Sequence, residues 1–221
     1  MGTALIFGSA PCGEWGFLEG LRGRCSVICA DGGLRLAREA GFAPDVYVGD
    51  GDSGGGPCDG MVSVVLPPEK DLTDLQAAYE YARDRGFETV IFTACTGGRQ
   101  DHHLANLALL ERVWEDGLRA FVLDQWNEIR FHPGGRLRLP AAGYRYFSIL
   151  PMDRRLRQVR ISGGKYPLDV PEVRRGDSLT VSNEPEGPVT IEIGEGAAWI
   201  VRSERNAPVD WRDLLDGCAS T

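Results

Sequence analysis

Short runs of consecutive apolar residues recur through the first half of the chain. Positions that are apolar in succession, rather than alternately, are typical of parallel strands covered on both faces. Six such runs predict strands at residues 4–7, 26–29, 46–48, 62–65, 89–92 and 120–123. Segments with helical spacing lie between them, and strands alternating with helices favour an open, mostly parallel Rossmann-like α/β sheet with flanking helices.

The helical segments are residues 33–40, 73–84 and 101–115. In the second segment, Leu75, Ala78, Tyr79 and Ala82 fall on one stripe, which predicts a buried face. Its start carries Thr73 and Gln76 at the spacing of a capping box.

After residue 125 the helical spacing fades and short, often alternating apolar segments follow one another between Gly/Pro turns. Alternating strands of this kind predict an antiparallel β-sandwich. The predicted strands are residues 128–131, 136–139, 145–150, 158–161, 178–181, 189–193 and 199–203, with turns at 163–164 and 185–188. Residues 210–216 fit a short helix or a frayed tail. We therefore expect two domains, residues 1–125 and 126–221.

Composition and charge narrow the range of possible functions. The chain has 221 residues, of which 43% are hydrophobic and 25% charged, as in soluble globular proteins. A net charge of −8 argues against a nucleic-acid partner, because phosphate backbones are bound by basic surfaces. We expect no signal peptide and no membrane partner, since no apolar run approaches the ~18 residues of a membrane span.

Cysteine usage points to a reducing compartment. The six cysteines are scattered, with no Cys-x-x-Cys pair and no Cys/His spacing typical of zinc sites. We expect free thiols and a cytoplasmic protein.

The most informative feature is a set of four turns that combine carboxylates with glycine or hydroxyl residues, each after a predicted strand. They are Asp31-Gly32-Gly33, Gly49-Asp50-Gly51-Asp52-Ser53, Lys70-Asp71-Leu72-Thr73-Asp74 and Gly97-Gly98-Arg99-Gln100-Asp101-His102. The turn propensity of Asp-Gly pairs explains one such segment. Four of them, at matching points of successive strand–loop units, predict one site at the carboxyl ends of the strands.

The chemistry of these turns is that of a metal–phosphate site. Asp50 and Asp52, two residues apart in an extended turn, can face one Mg²⁺, which takes a few protein oxygens and completes its shell with phosphate and water. Asp71 and Asp74 flank a helix start, where Asp74 could instead only complement the helix dipole. Lys70 adds a cation that could reach a phosphate.

The fourth turn predicts an anion site. Backbone N–H groups at a glycine-preceded helix start bind anions, and Arg99 offers a fork of donors. His102 and His103 could donate to a phosphate or cap the helix. The chain has neither a P-loop nor a dinucleotide-binding glycine fingerprint. Together these residues predict Mg²⁺-dependent phosphoryl or pyrophosphoryl transfer.

In order and spacing, the four turns resemble the motifs of thiamine pyrophosphokinases. The resemblance continues into Gly164-Lys165-Tyr166-Pro167-Leu168 and Ser182-Asn183-Glu184, so it covers nearly the whole chain. It implies transfer of a pyrophosphoryl group from ATP to the hydroxyl of thiamine, with release of AMP. It also implies a homodimer with thiamine bound at the subunit interface, partly by the sandwich domain.

The resemblance also implies residue roles. The catalytic set would be Asp50, Asp52, Asp71, Asp74, Arg99 and Asp101. Of these, Asp50, Asp52 and Asp74 would bind Mg²⁺, and Asp71 or Asp101 could accept the proton of thiamine. ATP would be bound by Asp31, Gly32, Lys70, Thr73, Gly98, Arg99 and His102. Thiamine would contact Tyr166, by stacking, together with Ser182 and Asn183.

Two departures and three alternatives accompany this interpretation. Gly51 stands where the family often has an aromatic residue, and three glycines follow at residues 54–56. The acidic motifs alone also fit a pyrophosphokinase for a pterin-like alcohol, or an Mg²⁺-dependent phosphohydrolase. A non-catalytic nucleotide-sensing protein is a third possibility, which the presence of every acidic residue disfavours.

Overall fold

The computed structural model describes residues 2–51, 61–65 and 71–210, together with residues 212 and 214. The chain divides into two compact units, residues 1–15 with 22–125 and residues 16–21 with 126–221. Residues Gly16–Leu21 form a short 3-10 helix that belongs to the second unit, where the carbonyl of Phe17 accepts from the N–H of Val209 at 2.9 Å. The hydrophobic pattern of the sequence did not predict this helix.

The first unit is built on a parallel sheet. Its strands are β1 (Thr3–Phe7), β2 (Ser26–Ala30), β3 (Val46–Gly49), β4 (Val62–Val65), β5 (Thr89–Thr93) and β6 (Arg119–Leu123). They lie in the order β4-β3-β2-β1-β5-β6, and every neighbouring pair is parallel. The order reverses between β1 and β5, which is the switch point where open α/β sheets bind their ligands. This half of the predicted fold class is confirmed.

The helices that the structure describes in this unit are α1 (Gly33–Glu39), α2 (Asp74–Asp84) and α3 (Gln100–Glu115). Thr73 caps α2, because its hydroxyl accepts from the N–H of Gln76 at 3.2 Å. The Gln76 side chain donates to Glu80 at 3.2 Å instead of returning to the cap, so half of the capping box forms. None of the helices in the described ranges is long and apolar enough to cross a membrane.

The second unit contains two antiparallel sheets. Its strands are β7 (Glu128–His132), β8 (Gly135–Leu139), β9 (Tyr144–Pro151), β10 (Arg155–Gly164), β11 (Leu168–Arg174), β12 (Pro185–Glu195) and β13 (Ala198–Arg205). One sheet has the order β7-β13-β9 and the other β11-β10-β12-β8. Both sheets contribute to one apolar core, for example Ile149 and Ile200 from the first and Val159 and Ile191 from the second. The predicted sandwich is confirmed.

Three local predictions in this unit are wrong, and one strand was missed. Residues 178–181 form turns instead of a strand, and the hydroxyl of Thr180 donates to the carbonyl of Ile149. The turn predicted at 163–164 lies within β10, where a register shift next to Gly163 (φ +80°) forms a bulge. The turn predicted at 185–188 lies within β12. Strand β11 was not predicted, because Pro171 interrupts its sequence pattern. Of residues 210–216, the part that the structure describes includes helical positions 212 and 214.

Candidate functional site

A cavity of about 470 Å³ opens at the switch point of the parallel sheet. Four parts of the chain line it: residues 8–11 after β1, Ala30 at the end of β2, residues 72–75 at the start of α2, and residues from the end of β5 into the first half of α3. Small-molecule sites have volumes of roughly 300–1,000 Å³. The cavity therefore has the size and the place in the fold of a ligand site.

The ends of β1 and β5 are joined tightly beneath this cavity. The N–H of Gly8 donates to the carbonyl of Thr93, and that of Ala10 to the carbonyl of Ala94, each at 2.8 Å. A Cβ added at Gly8 would lie 2.6 Å from the Ala94 oxygen. Ala94 has a φ of +50°, which is unfavourable for a residue with a side chain. The backbone at the cavity floor is thus held in a fixed, strained shape.

The fourth predicted turn forms one wall of the cavity. Gly97 (φ +77°) and Gly98 (φ +62°) lead into α3, whose N-cap is Arg99. The Arg99 guanidinium donates to the Asp101 carboxylate at 2.6 Å, although both side chains are largely exposed. That hydrogen bond, with a second from the N–H of His102, lowers the pKa of Asp101 to about 2. Gly98, Arg99 and His102 line the cavity.

Asn106 and Cys95 are lining residues that the sequence analysis missed. Asn106 is buried, and its amide donates to the carbonyl of Cys95 at 2.8 Å. The signal for it was a polar residue on the buried stripe of α3. Burial raises the pKa of the Cys95 thiol, so this thiol is not an activated nucleophile. Residues 9–11 were also missed, although Gly8 directly after β1 marked their position.

Two of the predicted carboxylates, those of Asp31 and Asp50, influence Tyr47. The N–H of Asp31 (φ +45°) donates to the carbonyl of Val48 at 2.9 Å, and its carboxylate accepts from the Tyr47 hydroxyl at 3.2 Å. Burial, followed by the charge of Asp31 and, more weakly, that of Asp50, raises the pKa of Tyr47 to about 12. Asp31 thus contacts the phenol directly, and the charge of Asp50 acts on it more weakly.

For the remaining predicted residues of the acidic turns, the structure shows the positions of some and not of others. Thr73 and Asp74 line the cavity at the first turn of α2, and Asp71 is exposed just before it. Asp52 and Lys70 lie outside the described residues, so their predicted roles stay predictions. Within the described ranges, no three His, Cys, Asp or Glu side chains gather closely enough to hold a metal. One or two carboxylates still fit Mg²⁺ that arrives on a polyphosphate, because phosphate and water supply its other ligands.

The predicted thiamine residues lie in the second unit and form a local clamp. The Asn183 side chain, 5% exposed, accepts from the N–H of Tyr166 at 3.0 Å and donates to the Tyr166 carbonyl at 2.7 Å. It also accepts from the N–H of Glu184 at 2.9 Å. Ser182 has a φ of +60°, and its N–H donates to the hydroxyl of Ser148 at 2.9 Å. The amide of Asn183 therefore fixes the backbone that presents the exposed Tyr166 ring.

This clamp predicts the effect of replacing Asn183 with leucine. The variant leaves both polar groups of the Tyr166 backbone without their side-chain partner, and each lost hydrogen bond is worth about 0.5–1.5 kcal/mol. We expect a free energy of unfolding lower by roughly 1–3 kcal/mol and a weaker affinity for thiamine. Urea unfolding and fluorescence titration measure the two.

Gly164→Ala is the matched test of the same clamp. A Cβ at Gly164 would lie 2.9 Å from the Asn183 amide oxygen and 3.0 Å from its nitrogen. It should displace the amide and reproduce both effects. Gly187→Ala is the control, because a Cβ there meets nothing within 4 Å. Normal stability in both clamp variants would contradict the role of Asn183.

Comparison with known proteins agrees with the site. Residues 21–122 match the family model described as "Thiamin pyrophosphokinase, catalytic domain", and residues 136–197 match "Thiamin pyrophosphokinase, vitamin B1 binding domain". The chain is 30% identical over 141 residues to the thiamine pyrophosphokinase of Bacillus subtilis, an alignment that covers 63% of this chain and 66% of that protein.

Solved structures extend the likeness over the whole fold. The crystal structure of the Bacillus subtilis thiamine pyrophosphokinase superposes with a TM-score of 0.83 at 26% identity, covering 91% of this chain and 99% of that one. The protein from Geobacillus thermodenitrificans gives a TM-score of 0.79 at 26% identity, covering 94% and 100%. The chain belongs to the thiamin pyrophosphokinase family, which implies an enzyme that transfers pyrophosphate from ATP to thiamine.

Proposed function

We propose that this chain makes thiamine diphosphate and AMP from thiamine and ATP, and that the cavity of the first unit binds the ATP. The observation that carries the proposal is the cavity at the switch point between β1 and β5, with an acidic helix start on one side and a Gly-Gly-Arg turn on the other. ATP is the co-substrate of the family to which the chain belongs. The phosphates would contact Gly98 and Arg99, where backbone N–H groups and a guanidinium offer donors.

Mg²⁺ is the cofactor that the acidic residues suit. Asp50 and Asp74 would bind it, with Asp52 from outside the described residues and Asp31 after the neighbouring strand. Of the three described carboxylates, Asp74 lines the cavity. When bound, the ion neutralises phosphate charge and keeps the polyphosphate oriented. It also accounts for a net charge of −8 in a protein with an anionic substrate, because carboxylates and phosphates would otherwise repel each other.

The protein residues mainly position the two substrates and neutralise the charge of the phosphates. The thiamine hydroxyl oxygen attacks the β-phosphorus of ATP, the bond between that phosphorus and the α-phosphate oxygen breaks, and AMP leaves. The hydroxyl proton passes to a carboxylate. Asp101 is a weak base, since Arg99 and the N–H of His102 lower its pKa to about 2. Asp71, the other candidate, is exposed just before α2, and we infer that it accepts the proton.

The second unit would supply the thiamine contacts. Tyr166 is 59% exposed, and an aromatic face suits the cationic thiazolium. Leu179 and Val181 are exposed apolar side chains close in sequence to Ser182. We propose that this surface meets a second copy of the chain, so that thiamine binds at the interface of a homodimer. The described cysteines Cys12, Cys25, Cys29 and Cys95 are free thiols, which supports a cytoplasmic location.

The test is product analysis. Purified protein is incubated with ATP, MgCl₂ and thiamine, and the products are identified by mass spectrometry; a parallel sample contains EDTA. We expect thiamine diphosphate and AMP in equal amounts, and neither with EDTA. Hydrolysed ATP without a thiamine product would indicate a phosphohydrolase. Product formed only from a hydroxymethyl-pterin acceptor would indicate the pterin alternative, and no ATP consumption a nucleotide sensor.

A further inference from the structure

The turn formed by Gly97 and Gly98 needs outside support to keep one conformation. Both residues are exposed and have positive φ values, and a Cβ at Gly97 would meet nothing within 4 Å. Glycine also has more conformational freedom to lose than any other residue. Little packing therefore restrains the segment that carries Arg99 into the cavity wall.

Two side chains of α3 hold this turn. The Gln100 amide donates to the carbonyl of Gly98 at 3.3 Å, and His103 binds the first residue, Gly97. The Nδ1 atom of His103 accepts from the N–H of Gly97 at 3.1 Å. His103 is itself fixed in the helix, because its N–H donates to the carbonyl of Arg99 at 3.0 Å. An imidazole that accepts at Nδ1 is neutral and carries its proton on Nε2.

The neighbouring histidines are placed differently. His102 lines the cavity, whereas His103 is not among its lining residues. His103 thus has no direct path to a ligand there, but it contacts the turn from the helix side. Gly97, Gly98 and Arg99 all line the cavity, and the hydrogen bond from the Gly97 N–H to His103 fixes the first of these three residues.

We propose that His103 is a positioning residue for ATP: its neutral imidazole fixes the left-handed Gly97–Gly98 turn, so that Gly98 and Arg99 are already arranged for the phosphates. This inference rests on the proposed binding of ATP in the same cavity. Fixing a segment in its bound conformation before binding lowers the cost of binding. The contribution should therefore appear in the affinity for ATP and not in the chemical step.

Two substitutions separate the hydrogen bond from the shape of the side chain. His103→Asn keeps an acceptor oxygen close to the position of Nδ1, and His103→Leu fills similar space without an acceptor. For His103→Leu we expect the KM for ATP to rise roughly three- to tenfold, the effect of one net hydrogen bond. The kcat should stay within about twofold and the KM for thiamine should not change. His103→Asn should return the KM for ATP toward the wild-type value.

A measurement without catalysis tests the inference separately from the proposed reaction. Calorimetric titration with ATP and Mg²⁺ should show the same loss for His103→Leu and the same recovery for His103→Asn. Hydrogen exchange of the Gly97 amide in the ligand-free protein should speed up only in His103→Leu, while the thermal midpoints of the three proteins stay close. If the wild type binds ATP but makes no thiamine diphosphate, the proposed reaction fails and the positioning role stands.

The outcomes that would overturn the inference are specific. Equal ATP affinity and equal Gly97 exchange in the wild type and His103→Leu would remove it. The inference would also be wrong if His103→Asn protected the Gly97 amide from exchange but lost as much ATP affinity as His103→Leu. Should His103→Leu fold poorly, the comparison of His103→Asn with His103→Gln, whose acceptor lies one methylene farther from the backbone, decides the same question.

Discussion

Asp74→Asn is expected to lower kcat for thiamine diphosphate formation by roughly 10²- to 10³-fold, the loss typical of removing one group that stabilises transition-state charge. Asp74 is in the first turn of α2 and lines the cavity. Asparagine keeps the size of the side chain and removes the negative charge that would bind Mg²⁺. Steady-state kinetics over a range of Mg²⁺ concentrations measure the loss, and the apparent Mg²⁺ affinity should fall with it.

The fold should survive this change. Thr73, and not Asp74, caps α2, and an acidic residue in the first turn contributes only about 0.3–1 kcal/mol through the helix dipole. Asp84→Asn is the matched control, since it makes the same replacement at the other end of α2, where Asp84 pairs with Arg83. Asp84→Asn should keep normal activity. An Asp74→Asn enzyme with near-normal turnover would remove Asp74 from the metal site.

The site of the first unit was partly predictable, because several of its residues come directly after strands that the sequence pattern reveals. The turns that hold Asp31 and Asp50 come directly after the buried strands β2 and β3, so the sequence alone predicted that these carboxylates lie at one edge of the sheet. Asp74 instead begins α2, well after the largely exposed strand β4. The strand order was not predictable in this way, because it depends on which edges pair. For that reason residues 9–11, which reach the cavity only because β1 adjoins β5, were missed.

The hydrogen-bond partners of individual side chains were also not predictable from the sequence. Asn183 is predicted to contact thiamine, and only the structure shows that its amide also binds the backbone of Tyr166 and Glu184. His102 and His103 are adjacent in sequence, but only the structure distinguishes the one that lines the cavity from the one that holds the turn. Such differences come from local backbone geometry, which spacing arguments do not contain.

The second unit was harder to predict because charged residues occupy its interior. Glu128, Arg130 and Arg202 lie on β7 and β13 and are 2%, 3% and 3% exposed. Their alternation with apolar residues predicts strands correctly but assigns the charges to the solvent side. In the structure Arg202 lies on the same face of β13 as the core residues Ala198 and Ile200, and the charges pair with one another.

This buried cluster centres on the Glu128 carboxylate. It accepts from the Nε of Arg130 at 3.1 Å, from a guanidinium N–H of Arg202 at 3.3 Å and from the hydroxyl of Tyr144 at 3.3 Å. The Arg202 guanidinium also lies 4.2 Å from the centre of the Tyr144 ring. Burial alone would raise the pKa of Glu128, but the charges of Arg130 and Arg202 outweigh it and keep the pKa below its usual value.

Glu128→Gln is expected to lower the free energy of unfolding by roughly 3–5 kcal/mol, because it leaves two buried guanidinium groups without their carboxylate. Asp169→Asn is the control: it removes the same charge from the exposed Arg160–Asp169 pair, whose contribution should be below about 1 kcal/mol. Equilibrium unfolding in guanidinium chloride at pH 7 measures both. Equal stability of the two variants would show that the arginines are satisfied without Glu128.

The pH dependence gives an independent check of the same cluster. Because the folded-state pKa of Glu128 is lowered, its contribution is fully present above the unfolded-state pKa of about 4.3 and is lost as the pH falls through the folded-state value. The wild type should therefore lose stability in acid more steeply than Glu128→Gln, and the two curves should approach each other at the lowest pH. Parallel curves from pH 7 into acid would mean that Glu128 does not carry the charge that pairs with Arg130 and Arg202.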